Sequence, residues 1–360
     1  MIPYEDLKQS NAFFKDKYLK ATEKVIDSGW FILGNEVSDF EKDFAQYCQS
    51  NYCAGVASGL DALILSLKSL DLQPHDEVIV PSNTYIATIL AIVHCGLKPV
   101  LVEPNIDTYN IDPLLIESQI TQKTKVIMLV HLYGKACDMN PIIYLANKYQ
   151  LKIIEDCAQS HGAKYNGKMT GTFGYSGAFS FYPTKNLGAL GDAGAVISSD
   201  KFVINRIKTL RNYGSSIKYN NVEVGYNSRL DELQAAILNV KLSFLDEINN
   251  HKRHLATLYF EGLKEDFIKP SLNPSNYDVY HIFNIRHPKR DELKKYLEKN
   301  DIMTEIHYPI PPHQQKAMKG IIYGEYPIST IIHQTTLSLP ISYFHTDQDI
   351  FKIIDTLNKY

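Results

Sequence analysis

The chain has 360 residues, 44% of them hydrophobic and 21% charged, which is ordinary for a globular protein and enough for a large core with a smaller one beside it. A formal charge of −3 offers no broad basic field, which argues against nucleic acid or an anionic membrane as partner while leaving room for a local patch that holds a diphosphate. Five cysteines without a C-x-x-C pair, a polar start (MIPYEDLKQSN) and no apolar run near the ~20 residues of a membrane span lead us to expect reduced thiols, no zinc and a cytoplasmic protein.

Apolar spacing predicts a helix over Phe13–Asp27, a loop from Trp30 to Gly34 and an amphipathic helix over Val37–Tyr47. Tyr52–Ala57 reads as a strand that runs through Ser58 and Gly59 into a helix, Leu60–Leu70. Free backbone N–H groups and the positive end of a helix dipole suit a phosphate there, although Ser58 serves equally as a plain N-cap. A strand at Glu77–Val80 leads through Pro81–Asn83 to a helix over Thr84–Cys95 with Tyr85 in its first turn. Strands at Pro99–Val102, Val126–Leu132 and Ile153–Asp156 alternate with helices near Asp112–Ile120 and Pro141–Tyr149, so βαβ units and a largely parallel sheet are expected. Ala178–Tyr182 and Ala195–Ser198 read as further strands, Lys201–Asn212 as a helix and Tyr213–Tyr226 as a polar loop. A long helix with a kink along it then runs from Ser228 or Arg229 to about Leu263. From about Asp246 the composition turns to charged helix with short strands at Val279–Arg286 and Thr335–Leu339. We expect one domain over 1–245 and a smaller one over 246–360.

Two residues in this frame carry chemistry. In LKIIEDCAQSHGA, Asp156 falls at the carboxyl end of a strand, where open α/β sheets place their ligands, though it could equally cap the next turn. Lys185 lies in GAFSFYPTKNLGALGDAGAV, on a turn between two apolar strands, with glycine at every third residue from Gly188 to Gly194. Desolvation there favours the neutral amine, the form that makes Schiff bases with aldehydes such as pyridoxal phosphate (PLP). Most loop lysines are solvated and idle, so neither residue decides the matter alone. As a pair they are the amine and the ring-nitrogen acid that a PLP site needs. Gly162–Lys168, GAKYNGK, has P-loop spacing, but Met169 stands where Ser or Thr would bind magnesium and the strand before it ends too early, so ATP binding is rejected.

The stretches SGWFILGNEVSDFEKDFAQYC, ASGLDALILSL, PSNTYIAT, IDTYNIDP, EDCAQSHGA, FSFYPTKNLGALGDAGA, NYG, GYNSRLDELQAAIL and HYPIPPHQQ occur in an order that resembles the DegT/StrS family of nucleotide-sugar aminotransferases over nearly the whole chain. The resemblance implies PLP fold type I, the aspartate aminotransferase-like α/β architecture, with a mostly parallel seven-stranded sheet and a smaller C-terminal α+β domain. It implies that Lys185 is Schiff base and proton shuttle and that Asp156 is the acid on the ring nitrogen. Gly59, Leu60 and Ser180 would hold the phosphate, helped by Asn227 from the other subunit of a homodimer. Tyr85 would cover the ring, Gln159 would touch its hydroxyl, and His161, Tyr182, His307 and Tyr308 would line the sugar pocket. Leu60 stands where the family often has a phosphate-binding threonine, which leaves only backbone donors there. Read without the family, Tyr85 is core, Asn227 is a capping residue and the His307-Tyr308 pair is structural.

The implied reaction moves an amino group from glutamate, by ping-pong kinetics, to a keto carbon of a nucleotide-linked 6-deoxyhexose, within deoxysugar synthesis for surface glycans. Leu60, Tyr182 and HYPIPPH look most like the subset that turns dTDP-3-keto-6-deoxyhexose into dTDP-3-amino-3,6-dideoxyhexose, with a 4-keto sugar as the alternative. PLP-dependent dehydratases on this fold replace the lysine with histidine, whereas Lys185 is present. A non-catalytic sensor would tolerate loss of the Asp156–Lys185 pair, which is intact.

Overall fold

The computed structural model describes residues 1–217 and 219–360. Two helices, α1 (Leu7–Ala12) and α2 (Lys15–Ser28), open the chain where the spacing predicts one, because Asp6 caps a first short helix by accepting from the Lys8 and Gln9 N–H groups. α3 (Asn35–Tyr47) follows, and β1 (Tyr52–Val56) then passes through Ser58 into α4 (Gly59–Lys68). The alternation continues with β2 (Glu77–Pro81), α5 (Ile86–His94), β3 (Lys98–Val102), the short α6 (Pro113–Ile116), β4 (Thr124–Val130), α7 (Met139–Tyr149) and β5 (Lys152–Asp156). GAKYNGK forms a tight hairpin, β6 (Lys164–Tyr165) and β7 (Lys168–Met169), which is not the strand-loop-helix of a P-loop. β8 (Ser176–Ser180) and β9 (Gly194–Ser198) complete a seven-stranded sheet in the order β1-β9-β8-β5-β4-β2-β3. Only β9 runs against its neighbours, so the sheet is mostly parallel, as expected.

Side chains along the central strands alternate between two buried faces, the period-two pattern of a sheet covered on both sides. Val78, Val80, Val126, Met128 and Ile154 pack with α4 and α5 residues, whereas Ile79, Ile127, Leu129 and Ile153 pack with α7 residues. Glu155 and Asp156 end β5 and, by the same alternation, leave it on opposite sides. The fully buried Glu155 carboxylate accepts from the N–H groups of Gly171 (2.7 Å), Phe173 (2.7 Å) and Gly174 (2.9 Å) and from His131 Nε2 at 3.0 Å. His131 Nδ1 accepts from the Cys137 N–H, so the ring donates through Nε2. Glu155→Ala would strand these donors and is expected to cost about 3–5 kcal/mol, read as a lower urea midpoint. An unchanged midpoint would mean that the 171–174 turn stands without it.

After β9 come α8 (Lys201–Leu210), a hairpin of β10 (Ser215–Ile217) and β11 (Asn220–Asn221), and then α9 (Glu232–Leu242) and α10 (Leu245–Gly262). The long helix expected from Ser228 or Arg229 begins only at Glu232, because its first residues are engaged elsewhere. Asn227 bridges Asn212 in antiparallel fashion, Arg229 donates to Asn212, and Ser228 Oγ accepts from the Ala57 N–H and donates to Asp61. The expected kink is a full break at Ser243–Phe244, where the Phe244 ring packs edge-on against Phe13 and Phe14.

The last third adds β12 (Asn276–Tyr277), β13 (Phe283–Arg286), α11 (Arg290–Lys299), α12 (Pro327–Thr335), β14 (Thr336–Leu339) and α13 (Asp347–Leu357). β13 and β14 pair antiparallel over a second core that includes Leu255, Tyr259, Phe283, Leu293, Leu337 and Ile353, and Ile2 from the start of the chain joins it. α10 spans both cores, with Leu245 in the one beneath the large sheet and Leu255 in the smaller. Among the described residues no helix is long and apolar enough to cross a membrane.

Candidate active site

The carboxyl ends of β5 and β8 meet the N-termini of α4 and α5, the crevice in which open α/β sheets bind ligands. Lys185 enters it from the turn after β8, where its N–H donates to the Tyr182 carbonyl at 2.8 Å. Gly188 is required in that turn, since a Cβ there would lie 2.4 Å from the Pro183 carbonyl oxygen. The Lys185 stem keeps some exposure, but the amine is enclosed, and burial pulls its pKa from 10.5 down to about 8 against the opposing charge of Asp156. Its Nζ lies 3.4 Å from His281 Nε2. Burial, then Lys185 and Lys252, holds the His281 pKa well below its ordinary value, so the ring is neutral and can accept from the lysine while Nδ1 faces Asn186 Oδ1 at 3.4 Å.

Asp156 is held from two sides. One oxygen accepts from Thr88 Oγ1 at 2.9 Å and the other from the Ala158 N–H at 3.1 Å. Burial raises its pKa, and those two bonds together with Lys185 oppose the rise. At the neighbouring strand end, Ser58 caps α4 by accepting from the Asp61 N–H, and Gly59 sits so close to β8 that a Cβ on it would lie 2.5 Å from Ser180 Cβ. The first N–H groups of α4, including that of Leu60, and the Ser180 hydroxyl therefore form one small cradle, suited to an anion.

Tyr85 stands at the residue before α5 and is 52% exposed, with its ring centroid 5.1 Å from that of Tyr308. Tyr308 Oη accepts from Gln159 Nε2 at 3.0 Å, and Gln159 Oε1 accepts from the Tyr133 N–H at 2.6 Å. His307 Nδ1 lies 2.9 Å from Ser338 Oγ, and its carbonyl accepts from the Tyr133 hydroxyl. Tyr182 stands exposed on the rim. His161 is buried against Phe179 and Phe181, beside the backbone of Ser180. Burial and then Lys185 bring its pKa down to about 3, so the ring is neutral. Asn227 is exposed, and its amide has no partner among the described residues.

Lys185 thus acts electrostatically on Asp156, His161 and His307, and Gly59–Ser180 and Tyr85–Tyr308–Gln159 form two contacts beside them. Sequence reasoning missed Thr88, Tyr133, Asn186, Lys252 and His281. Asn186, directly after the lysine, is the nearest to a local signal. Its amide donates to Asn249 Oδ1 (2.8 Å) and the Val279 carbonyl (3.0 Å), and its oxygen accepts from Lys252 Nζ (3.0 Å). Asn249 in turn donates to the His161 carbonyl at 2.8 Å. An enclosed amine, an enclosed acid and an anion cradle that side chains leave open fit pyridoxal phosphate on each of its three binding demands.

The sequence profile of the DegT/DnrJ/EryC1/StrS aminotransferase family matches residues 14–358. A dTDP-3-amino-3,6-dideoxy-alpha-D-galactopyranose transaminase of Aneurinibacillus thermoaerophilus is 52% identical over 100% of this chain and 99% of its own length. The crystal structure of S. venezuelae DesV in complex with a ketimine intermediate superposes with a TM-score of 0.98 at 42% identity, covering 99% of this chain and 98% of that one. That of NtdA from Bacillus subtilis with bound cofactor PMP does so with a TM-score of 0.93 at 30% identity, covering 99% and 84%.

Proposed function

The chain belongs to the DegT/DnrJ/EryC1/StrS aminotransferase family, and from that premise we propose that it uses pyridoxal phosphate to move an amino group from glutamate to the C3 keto carbon of a dTDP-linked 6-deoxyhexose. The observation that carries the chemistry is the enclosed Lys185 amine facing the charge of the enclosed Asp156 carboxylate. Likeness to the Aneurinibacillus transaminase supports the dTDP group and the C3 position.

Bound pyridoxal phosphate supplies an aldehyde that joins amines reversibly and a ring that draws electrons from the carbon beside that nitrogen. Lys185 Nζ would hold the cofactor aldehyde and, as a free amine, would take the proton from the α-carbon of the amino donor and deliver it to the cofactor carbon that began as the aldehyde, a task suited to a pKa near working pH. Asp156, its oxygens fixed by Thr88 and Ala158, balances the charge on the ring nitrogen. Backbone N–H groups of Gly59 and Leu60 and the Ser180 hydroxyl bind the phosphate, Tyr85 covers the ring, and Gln159 orients it. His161, Tyr182, His307 and Tyr308 line the sugar side. The cofactor-binding domain spans 1–245 and the smaller domain 246–360.

Capture of the cofactor needs the unprotonated amine, so raising the pH should speed it. Apoprotein mixed with pyridoxal phosphate is expected to gain its visible band at a rate that climbs with a midpoint at about 8, against 10.5 for an exposed lysine. A midpoint at the higher value would place the amine in water. For the whole reading, holoenzyme is incubated with glutamate and then with dTDP- and UDP-linked 3-keto and 4-keto sugars, and the products are located by NMR. A 4-amino product or a UDP preference would overturn the substrate, and no 2-oxoglutarate from glutamate would overturn the donor.

A second copy of the chain completes the site. Exposed Trp30, Phe31, Ile32, Leu190 and Tyr226 support such a covering partner, and Asn227 reaches the partner's phosphate. Inactive Lys185→Ala mixed with weakened Asn227→Ala should then regain activity. In a mixed dimer one site collects both defects and the other neither. No recovery after demonstrated subunit exchange would put both residues in one chain's site, or Asn227 outside any site.

A further inference from the structure

Lys185 also lines a second hollow, whose walls include none of the other cofactor or sugar residues named above. It offers about 30 Å³, room for one or two waters or one small ion. Its charged walls beyond Lys185 are Glu5, Lys241 and Lys252, and Ser10, Thr184, Asn186, Ser342 and Tyr343 add polar groups. Lys252 Nζ makes two hydrogen bonds, to Asn186 Oδ1 at 3.0 Å and the His281 carbonyl at 3.1 Å, and has a third N–H to give. Lys241 is 6% exposed, and among the described residues its amine makes no hydrogen bond and no ion pair.

Glu5 does not meet these amines. One of its oxygens accepts from Ser10 Oγ at 2.7 Å and the Asp6 N–H at 3.1 Å, the other accepts from Ser342 Oγ, and neither pairs with a lysine. Burial has brought both amines down to about 8, with Glu5 opposing the fall, so each still carries its proton at neutral pH. Two buried ammonium groups therefore share a single carboxylate engaged elsewhere, and a buried charge without a counter-charge is costly. A water would satisfy the N–H bonds and leave the charge.

We propose that the hollow binds one monatomic inorganic anion, of the size and charge of chloride, between Lys241 Nζ and Lys252 Nζ. In holoenzyme crystals soaked in sodium bromide, an anomalous peak is expected within hydrogen-bonding reach of both amines. In solution at pH 7, sodium chloride should raise the melting temperature of the holoenzyme above that in sodium gluconate of equal ionic strength. Lys241→Met, which keeps the apolar stem, should abolish both the peak and the chloride-dependent shift. An ordered water in place of bromide would overturn the proposal. So would equal melting in the two salts for the wild type, or an equal chloride shift in wild type and Lys241→Met. A bromide peak without any chloride dependence in solution would mark an adventitious ion only.

Discussion

Replacing Lys185 with alanine is expected to leave a folded protein that has lost its borohydride-reducible visible band and on the order of 10⁴-fold of its turnover. The side chain makes one long contact, to His281 Nε2 at 3.4 Å, so its removal leaves little unsatisfied. Lys241 and Lys252 lie near it with pKa values also brought down to about 8, yet neither is a substitute. Lys252 is tied to Asn186 and the His281 carbonyl, and Lys241 faces the hollow behind the turn rather than the crevice. Circular dichroism reports the fold, and absorption before and after borohydride reports the bond to the cofactor. A persistent reducible band, or normal turnover, would show that another amine carries the chemistry.

Asp156→Asn is expected to keep the cofactor and slow the glutamate half-reaction by about a hundredfold or more. Asparagine preserves size and can still accept from either Thr88 or the Ala158 N–H, but not from both, because its amide nitrogen donates. It also carries no charge to balance a protonated ring nitrogen. A second consequence separates this role from mere packing. Asp156 holds the Lys185 pKa up, so the variant's cofactor-capture midpoint should fall below about 8. A wild-type half-reaction rate would point to another acid, and an unmoved midpoint would mean that the two groups do not sense each other.

How far such a site can be read from the chain depends on where its contacts come from. The central strands were legible because both faces are buried, so runs such as Val78–Val80 and Val126–Val130 are apolar throughout and bounded by turns. Asp156 at the end of β5, Gly59 at the start of α4 and Lys185 on the turn after β8 stand at positions that local order announces, whereas Ser180 was reached only through the resemblance to a family. His281, Thr88 and Lys252 were not, since they reach the crevice through packing between segments distant in the chain. Residues 228–231 misled for a related reason. They have the composition of a helix start, but their polar groups are engaged by Asn212, Ala57 and Asp61, and tertiary bonds outweighed local preference.

The bonds around Asn186 bear on how a substrate gets in. α10 reaches from the smaller core to the lysine turn, where Asn249 holds both Asn186 and the His161 carbonyl while Lys252 holds Asn186 again. Rocking the two cores apart would pull on Lys185 itself and break those bonds, at roughly 1 kcal/mol net for each. Opening of that kind is therefore opposed at the lysine turn itself. Tyr85 and Tyr182, whose rings stand half-exposed, are free of those ties.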